Sequence, residues 1–439
     1  MAEAATQVGT GVISCTLVDN SKSRVVDLTN VIKTVEYYEN ILSPSISVRI
    51  VVQDATNLKT SLPIVGGETI VLKFSDSFPD AIKIRLDDEL NPLRVYKVSS
   101  RERIRDRMEG YSILCTTEHM LKQQYMTVDR TYTNQLSSVI ASNIMGSYFG
   151  YEITELEETV GRHTFTFARL TPFQAINQLM AETESQLSGS SCYFFFQTND
   201  GYNLRNLDTM LDQPVRRVEG KDVEYHYITG EANNDDQFQG TRILEYNETV
   251  SFDLLEGILD GQYGARTQYF DPIRKRIDVN DWIHVDDHIG TLHSNHHPLI
   301  SANTASEFGT SASLEKYMVS NYASAFSDYI FSRDENIRTA FRRKQNIAAK
   351  RGAVLARIAN SKINIVVHGD SRLMVGQTIS LKFPTGGQIK ESDEQIDKFV
   401  SGKYLIVMIH HNISDTDYKT VLTCVKDTYI RNPNVGDAF

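Results

Sequence analysis

Five of the eleven histidines in this 439-residue chain fall within fourteen residues: His284, His288, His293, His296 and His297, with Asp286 and Asp287 among them. Imidazoles and carboxylates at such density are donors that a metal ion takes. His284 and His288 are four apart, a spacing that sets two imidazoles on one helical face. The zinc-peptidase pattern is nevertheless missing. It needs Glu directly after the first histidine, and His284 is followed by Val-Asp-Asp-His. The surrounding DVNDWIHVDDHIGTLHSNHHPL reads as a loop rather than a helix. The five histidines are therefore metal candidates set against a plainer reading, a polar His-rich loop or interface. No cofactor is expected.

Other reaction chemistry has no foothold. The sequence holds no GxSxG elbow, no GxxxxGK phosphate loop and no GxGxxG fingerprint. Glutamates are plentiful, but no glycosidase-like pair stands out. An enzyme is not expected. Trp282, the single tryptophan, reads as a core or interface anchor, and Phe194-Phe195-Phe196 as a buried strand.

Charge is more informative. The net of −11 argues against a general nucleic-acid binder. Residues 206–260 carry thirteen Asp/Glu against four Lys/Arg, and residues 335–360 carry seven Lys/Arg against Glu335 alone. Separate acidic and basic zones suit different partners on different faces, or two solvated surfaces. The basic set Arg338, Arg342, Arg343, Lys344, Lys350 and Arg351 is a partner-interface candidate or a solvated helix face.

The elements that must position these residues read as mostly strands. VISCTLVD (12–19), SISVRIVVQD (45–54) and GETIVLKF (67–74) are β-branched or alternating, and 93–106 with 108–117 reads as a long hairpin. Helical spacing appears at 134–146 and at 171–187, where Thr171 can cap and Pro172 suits the first turn. CYFFFQTNDGYNLRNL (192–207) reads as a hairpin turning at Asn199-Asp200-Gly201. A helix is expected again over 333–359. No apolar run reaches the ~18 residues a membrane helix needs. The first fifteen residues lack the features of a signal peptide. Cys15, Cys115, Cys192 and Cys424 are scattered without a CxxC, which fits a reducing compartment.

An internal repeat organises the chain. GETIVLKF at 67–74 returns as GQTISLKF at 376–383, with six of eight positions identical at an offset of 309. Ile50-Val51-Val52 precedes the first copy and Ile365-Val366-Val367 the second. A hairpin follows each, ending in YSILC or YKTVLTC. The Gly opening each word supplies an unencumbered or positive-φ entry to a strand. The expected fold is α+β and β-rich: two similar small antiparallel barrels, an α/β unit and an inserted domain. Barrel one takes 1–117 and the α/β unit 118–210. Barrel two takes 211–235 with 361–430, the inserted domain 236–360 and a tail 431–439. Three such chains would present six similar barrels, a pseudo-sixfold ring on a threefold molecule.

GETIVLKF and GQTISLKF, the segment CYFFFQTNDGYNLRNLDTML (192–211), TPFQAINQLMAETES (171–185) and SGKYLIVMIHHNISDTDYKTVLTCVKD (401–427) together resemble the baseplate hub proteins of contractile-tailed bacteriophages, which are related to the hub part of type VI secretion spike proteins. The resemblance covers about 45–211 and 335–430. It implies a virion protein of the tail baseplate, assembled in the host cytoplasm. It implies a homotrimer whose tail-tube-like barrels join the hexameric tail tube, or a tube initiator, to a trimeric central spike. Wedge proteins and tape measure are further implied contacts, with DNA present only in transit through a channel. An acidic lining would keep phosphate from sticking, and Asp208, Asp212, Glu219, Asp222 and Glu224 are the channel-facing candidates. The alternative is a β-barrel virion protein that binds or cleaves cell-wall glycans.

Overall fold

The structure, a computed structural model, describes residues 12–55, 64–76, 84–87, 91–105, 108–218, 220–228, 240–250, 253–262, 264–271, 276–283, 292–295, 297–298, 320–325, 337–359, 361–385, 396–414 and 417–430. Two sets of six strands carry the two copies of the repeat. In the first set the neighbours run Val12–Val18, Thr69–Ser75, Leu93–Arg105, Met108–Thr117, Ser47–Asp54, Ile32–Asn40. In the second they run Glu224–Tyr227, Thr378–Lys382, Gly402–Ser414, Tyr418–Val425, Lys362–His368, Arg242–Val250, and the last pairs back onto Glu224–Tyr227 to close a barrel. The order is the same, strand for strand.

The match extends to register. Ile50 lies opposite Ile113 and Ile365 opposite Leu422; Val48 lies opposite Cys115 and Ile363 opposite Cys424. Bulges recur as well. One falls between Val95 and Lys97 in the first set and between Ile406 and Met408 in the second. Another falls between Ile32 and Thr34, and between Ile243 and Glu245. The repeated word does the same work twice. Ile70, Leu72 and Phe74 are buried in one barrel, and Ile379, Leu381 and Phe383 in the other. Gly67 (φ +89°) and Gly376 (φ +83°) both occupy the left-handed region expected of the opening glycine.

Two expectations need correction. Arg242–Val250 belongs to the second barrel, not to an inserted domain at 236–360. Its polar sequence, RILEYNETV, reflects a strand whose residues from Glu245 to Thr249 are all exposed, so no inward alternation advertises it. The second barrel is also not wholly antiparallel. Glu224–Tyr227 runs parallel to both neighbours, whereas Val12–Val18 is antiparallel to Thr69–Ser75. That short strand arrives from the α/β unit rather than from a hairpin, so no tight turn fixes its direction.

One strand joins the barrels. The start of Gly402–Ser414 pairs with Thr378–Lys382, and its far half, from Met408 to Ser414, pairs with residues 34–40 of the first barrel. In the first set Val12–Val18 pairs on its other edge with the short strand Val25–Asp27, and just past it Leu28 N–H donates to Cys15 O at 2.9 Å. Ile413 and Tyr418, from the second barrel's hairpin, complete its core beside Cys15 and Cys115. Ile413→Ala is therefore expected to cost about 2–4 kcal/mol and to loosen the first barrel, although the residue lies in the second. Labelling of native Cys15 and Cys115 thiols should accelerate; unchanged labelling with a lowered melting temperature would contradict this placement.

Between the barrels sits the α/β unit. Helices Ser137–Phe149 and Pro172–Met180 pack on the hairpin Tyr193–Thr198/Gly201–Asn206. Thr171 caps the second helix in a capping box with Gln174, but that helix stops at Met180 rather than near 187. There the chain turns into contacts of Ser185 and Glu184 with Ser190 and Val160. Phe195 faces the unit's own core, while Phe194 and Phe196 face that of the second barrel. The phenylalanine triplet is thus a wedge buried on both sides.

Candidate functional site

The chemistry-bearing side chains converge where the parts meet. Alternation along Ile32–Asn40 puts Glu39 on the inward face with Val35 and Tyr37. Its carboxylate accepts from Tyr37 Oη at 2.6 Å, Asn199 N–H at 2.9 Å and Val375 N–H at 3.2 Å. These donors come from the first barrel, the α/β hairpin turn and the loop before GQTISLKF. Asp76, just past GETIVLKF, accepts from both the N–H and the Oγ of Ser371, each at 2.7 Å. Asn91 Nδ2 donates to Asn199 O at 2.6 Å, and Gln197 Nε2 donates to Asn91 Oδ1 at 2.7 Å. The three-way junction is polar, buried and hydrogen-bonded across all three parts.

Burial pushes the Glu39 carboxyl up to about 7, against the hydrogen bonds that favour its charge. The native state therefore holds this proton more tightly than the unfolded chain. Its contribution is complete below pH ~4.5 and is lost as the pH rises through about 7. Glu39→Gln should flatten that part of the stability profile. Thermal unfolding of both proteins between pH 4.5 and 8 measures it, and parallel profiles would refute the assignment.

A second knot fastens the segment around His293 to the second barrel. Asp427, fully buried, accepts from Ser294 N–H at 2.9 Å, Ser294 Oγ at 2.6 Å and His293 Nδ1 at 2.7 Å. Arg357, from helix Ile337–Ala359, reaches Asp208 at 3.3 Å and Asp427 at 3.7 Å. His293, Arg357 and Ser294 hold Asp427 well below the usual carboxylate range. Burial instead raises Asp208. Asn295 closes the knot, accepting from Lys403 N–H at 3.0 Å and donating to Thr428 O at 2.9 Å. With both oxygens engaged, Asp427 fastens the segment around His293 to the second barrel.

Of the histidines, His293 is in this knot. His297 lies on His297–Pro298, paired with Thr428–Tyr429, and His284, His288 and His296 lie outside the described residues. Among the described residues no three metal-ligating side chains gather. Asp208 does not face a channel: it is 1% exposed and bound to Arg357, because its helix, Leu207–Asp212, turns that side inward. Asp212 is exposed at the helix end. Asp222 is exposed and paired with Arg217 at 2.7 Å; Glu224 is half-buried, 3.6 Å from Lys382; Glu219 lies outside the described residues.

Arg338, Arg342, Arg343 and Lys344 lie on helix Ile337–Ala359, and their side chains are outside the described residues. Lys350 is half-buried. Arg351 makes contacts within this chain. It donates to Tyr193 O at 3.2 Å and lies 5.9 Å over the Phe194 ring, tying the helix to this chain's own hairpin. Glu39, Asp427 and Arg357 were not singled out from sequence. The signal for Glu39 was its place on the Val35–Tyr37 face, and for Asp427 its position directly after a buried strand.

No protein-family model and no curated protein matches the sequence. Solved structures do match. One is the 43 kDa tail protein of prophage MuSo2 from Shewanella oneidensis, at 12% identity, covering 95% of this chain and 99% of that one, with a TM-score of 0.51. Another is the tail protein from Neisseria meningitidis MC58, at 10% identity, covering 94% and 97%, with a TM-score of 0.52. This chain has the fold of these tail proteins. The tail-protein fold spans nearly the full length of both partners in each comparison, so the joined barrels and the unit between them belong to one architecture.

Proposed function

We propose that the protein is a structural component of a phage tail, a homotrimeric baseplate hub whose six barrels form a ring between a hexameric tail tube and a trimeric central spike. The observation that carries this reading is the twofold repetition of one strand order, register and bulge pattern, with the two copies joined edge to edge. A repeated unit in a threefold assembly meets sixfold and threefold neighbours at once. The likeness to phage tail proteins supports a place in the virion, and the buried knots support a scaffold rather than a reaction centre. Tape measure and then DNA would pass through the hole, with wedge proteins outside. Asp212 and Asp222 are the exposed acidic residues we assign to the channel wall. Antibody labelling of intact particles should decorate the baseplate end of the tail tube. Decoration of the head, or along the length of the sheath, would overturn the proposal.

A further inference from the structure

On the outer wall of the second barrel, register sets five basic side chains in one row. Lys382 lies opposite His226, His226 opposite Arg242, and His368 opposite Lys419. Ile243 lies opposite Val367, so Arg242 and His368, one residue further along each strand, join the two halves of the row. Their strand neighbours Leu381, Tyr225, Ile243, Val367 and Thr420 are buried in the barrel, so alternation turns all five outward. Lys382, His226, Arg242 and His368 are half-buried, and Lys419 is exposed. Like charges directly across a ladder destabilise it, so the sheet itself gains nothing from the row.

The repeat supplies an internal comparison. In the first barrel the same positions are Lys73, Ser14, Val31, Gln53 and Gly110, since Lys73 pairs with Ser14, Ile32 with Val52 and Gln53 with Gly110. Only the lysine of the repeated word is common to both, so one fold builds the same wall without the other four basic groups. Carboxylates stand at the two ends of the row. Glu224 lies 3.6 Å from Lys382 and 3.7 Å from His226, and Asp417 lies 2.8 Å from Lys419. Glu245 is a further acid near Lys419. Arg242, at the centre, makes no ion pair among the described residues. Burial holds both imidazoles below their ordinary range, with Lys382 acting the same way on His226, and Arg242 and Lys419 on His368, against Glu224 and Asp417.

We propose that the row, centred on Arg242 between His226 and His368, docks a short acidic peptide segment of a partner protein. Strands lie about 4.8 Å apart, so these three groups span about 10 Å. Carboxylates on one face of an extended peptide lie about 7 Å apart, and two of them fit between three basic groups. The Arg242 guanidinium is a fork that grips one carboxylate through two N–H donors. Glu224 and Asp417 select against a long polyanion, because a continuous phosphate chain crossing the row meets a carboxylate at each end. The net charge of −11 repels such a chain as well. An arriving carboxylate favours protonated imidazole, so the site tightens as the pH falls. The row belongs to one barrel and stands whether or not the barrels form a ring.

The test is fluorescence anisotropy of a labelled eight-residue peptide of alternating Glu and Ser, titrated with the full chain at low salt. Binding should strengthen from about pH 8 to about pH 6, and the same peptide with Gln in place of Glu should not bind. Arg242→Gln should weaken binding about tenfold. His226→Ser with His368→Gln, which installs the first barrel's residues, should remove the pH dependence. Glu224→Gln with Asp417→Asn should tighten binding about threefold or more, a gain that misfolding cannot imitate. Lys73→Gln, in the first barrel's version of the row, should change nothing. No binding by the native chain, native affinity in Arg242→Gln, or no response to removing the two bracketing acids overturns the site. A single strand of eight dT nucleotides that binds more tightly than the peptide, with the same dependence on Arg242, assigns the row to nucleic acid and overturns the peptide reading.

Discussion

Asp427→Ala is expected to lower the unfolding free energy by about 3–5 kcal/mol, the usual consequence of removing one partner from a buried ion pair. The alanine would leave Arg357, 2% exposed, with Asp208 as its remaining carboxylate, and would strip Ser294 and His293 of their shared acceptor. The loss is larger than deletion of a surface bridge because Arg357 and Ser294 are buried and cannot turn to water in place. Asp427→Asn should be milder, since an amide oxygen still accepts from Ser294. The pH dependence has a definite sign. The folded-state value lies below the ordinary one, so the contribution is present above about pH 4 and lost as the pH falls toward the folded value. Urea unfolding of the three proteins at neutral and acidic pH tests this. A cost under 1 kcal/mol for alanine would mean that the knot is not what holds helix Ile337–Ala359 to the second barrel.

Gly369→Ala should be nearly as damaging, about 3 kcal/mol, for a steric reason. A Cβ at that position would lie 2.2 Å from Tyr418 Cγ. The Tyr418 ring is fully buried, and its hydroxyl lies 3.0 Å from His411 Nδ1, so it has no free direction in which to retreat. Phe74 and His411 pack against the same ring at 6.3 Å and 5.8 Å. The methyl group would therefore disturb both barrels through one residue. Calorimetry should show a single transition at a lower temperature. Pairing the substitution with Tyr418→Leu should recover part of the loss, and a wild-type melting temperature for Gly369→Ala alone would contradict the packing described.

Much of the fold was legible because small barrels alternate strictly. GETIVLKF and GQTISLKF gave both inward faces and both glycine entries, and the matching flanks gave the duplication. The strand Arg242–Val250 was not legible. Its residues from Glu245 to Thr249 are exposed on both faces, so the strand has no alternation to read. The site was less legible than the fold. Glu39 and Asp427 draw their donors from residues more than a hundred positions away in sequence, such as Asn199 and Ser294, so no local spacing records them. Asp208 failed as a channel residue for the same reason, since its partner Arg357 is 149 positions away. The histidine cluster misled by density: His293 was drawn to a carboxylate beyond the cluster, not to its neighbours.

One chain is expected to supply two adjoining places in a pseudo-sixfold ring. Single-particle images of the purified protein, alone and with its tail partners, test it most directly. A ring of three chains with six barrel-sized lobes around a central hole is expected. A particle with lobes in any number other than six, or a chain that remains single with every tail component, would contradict it.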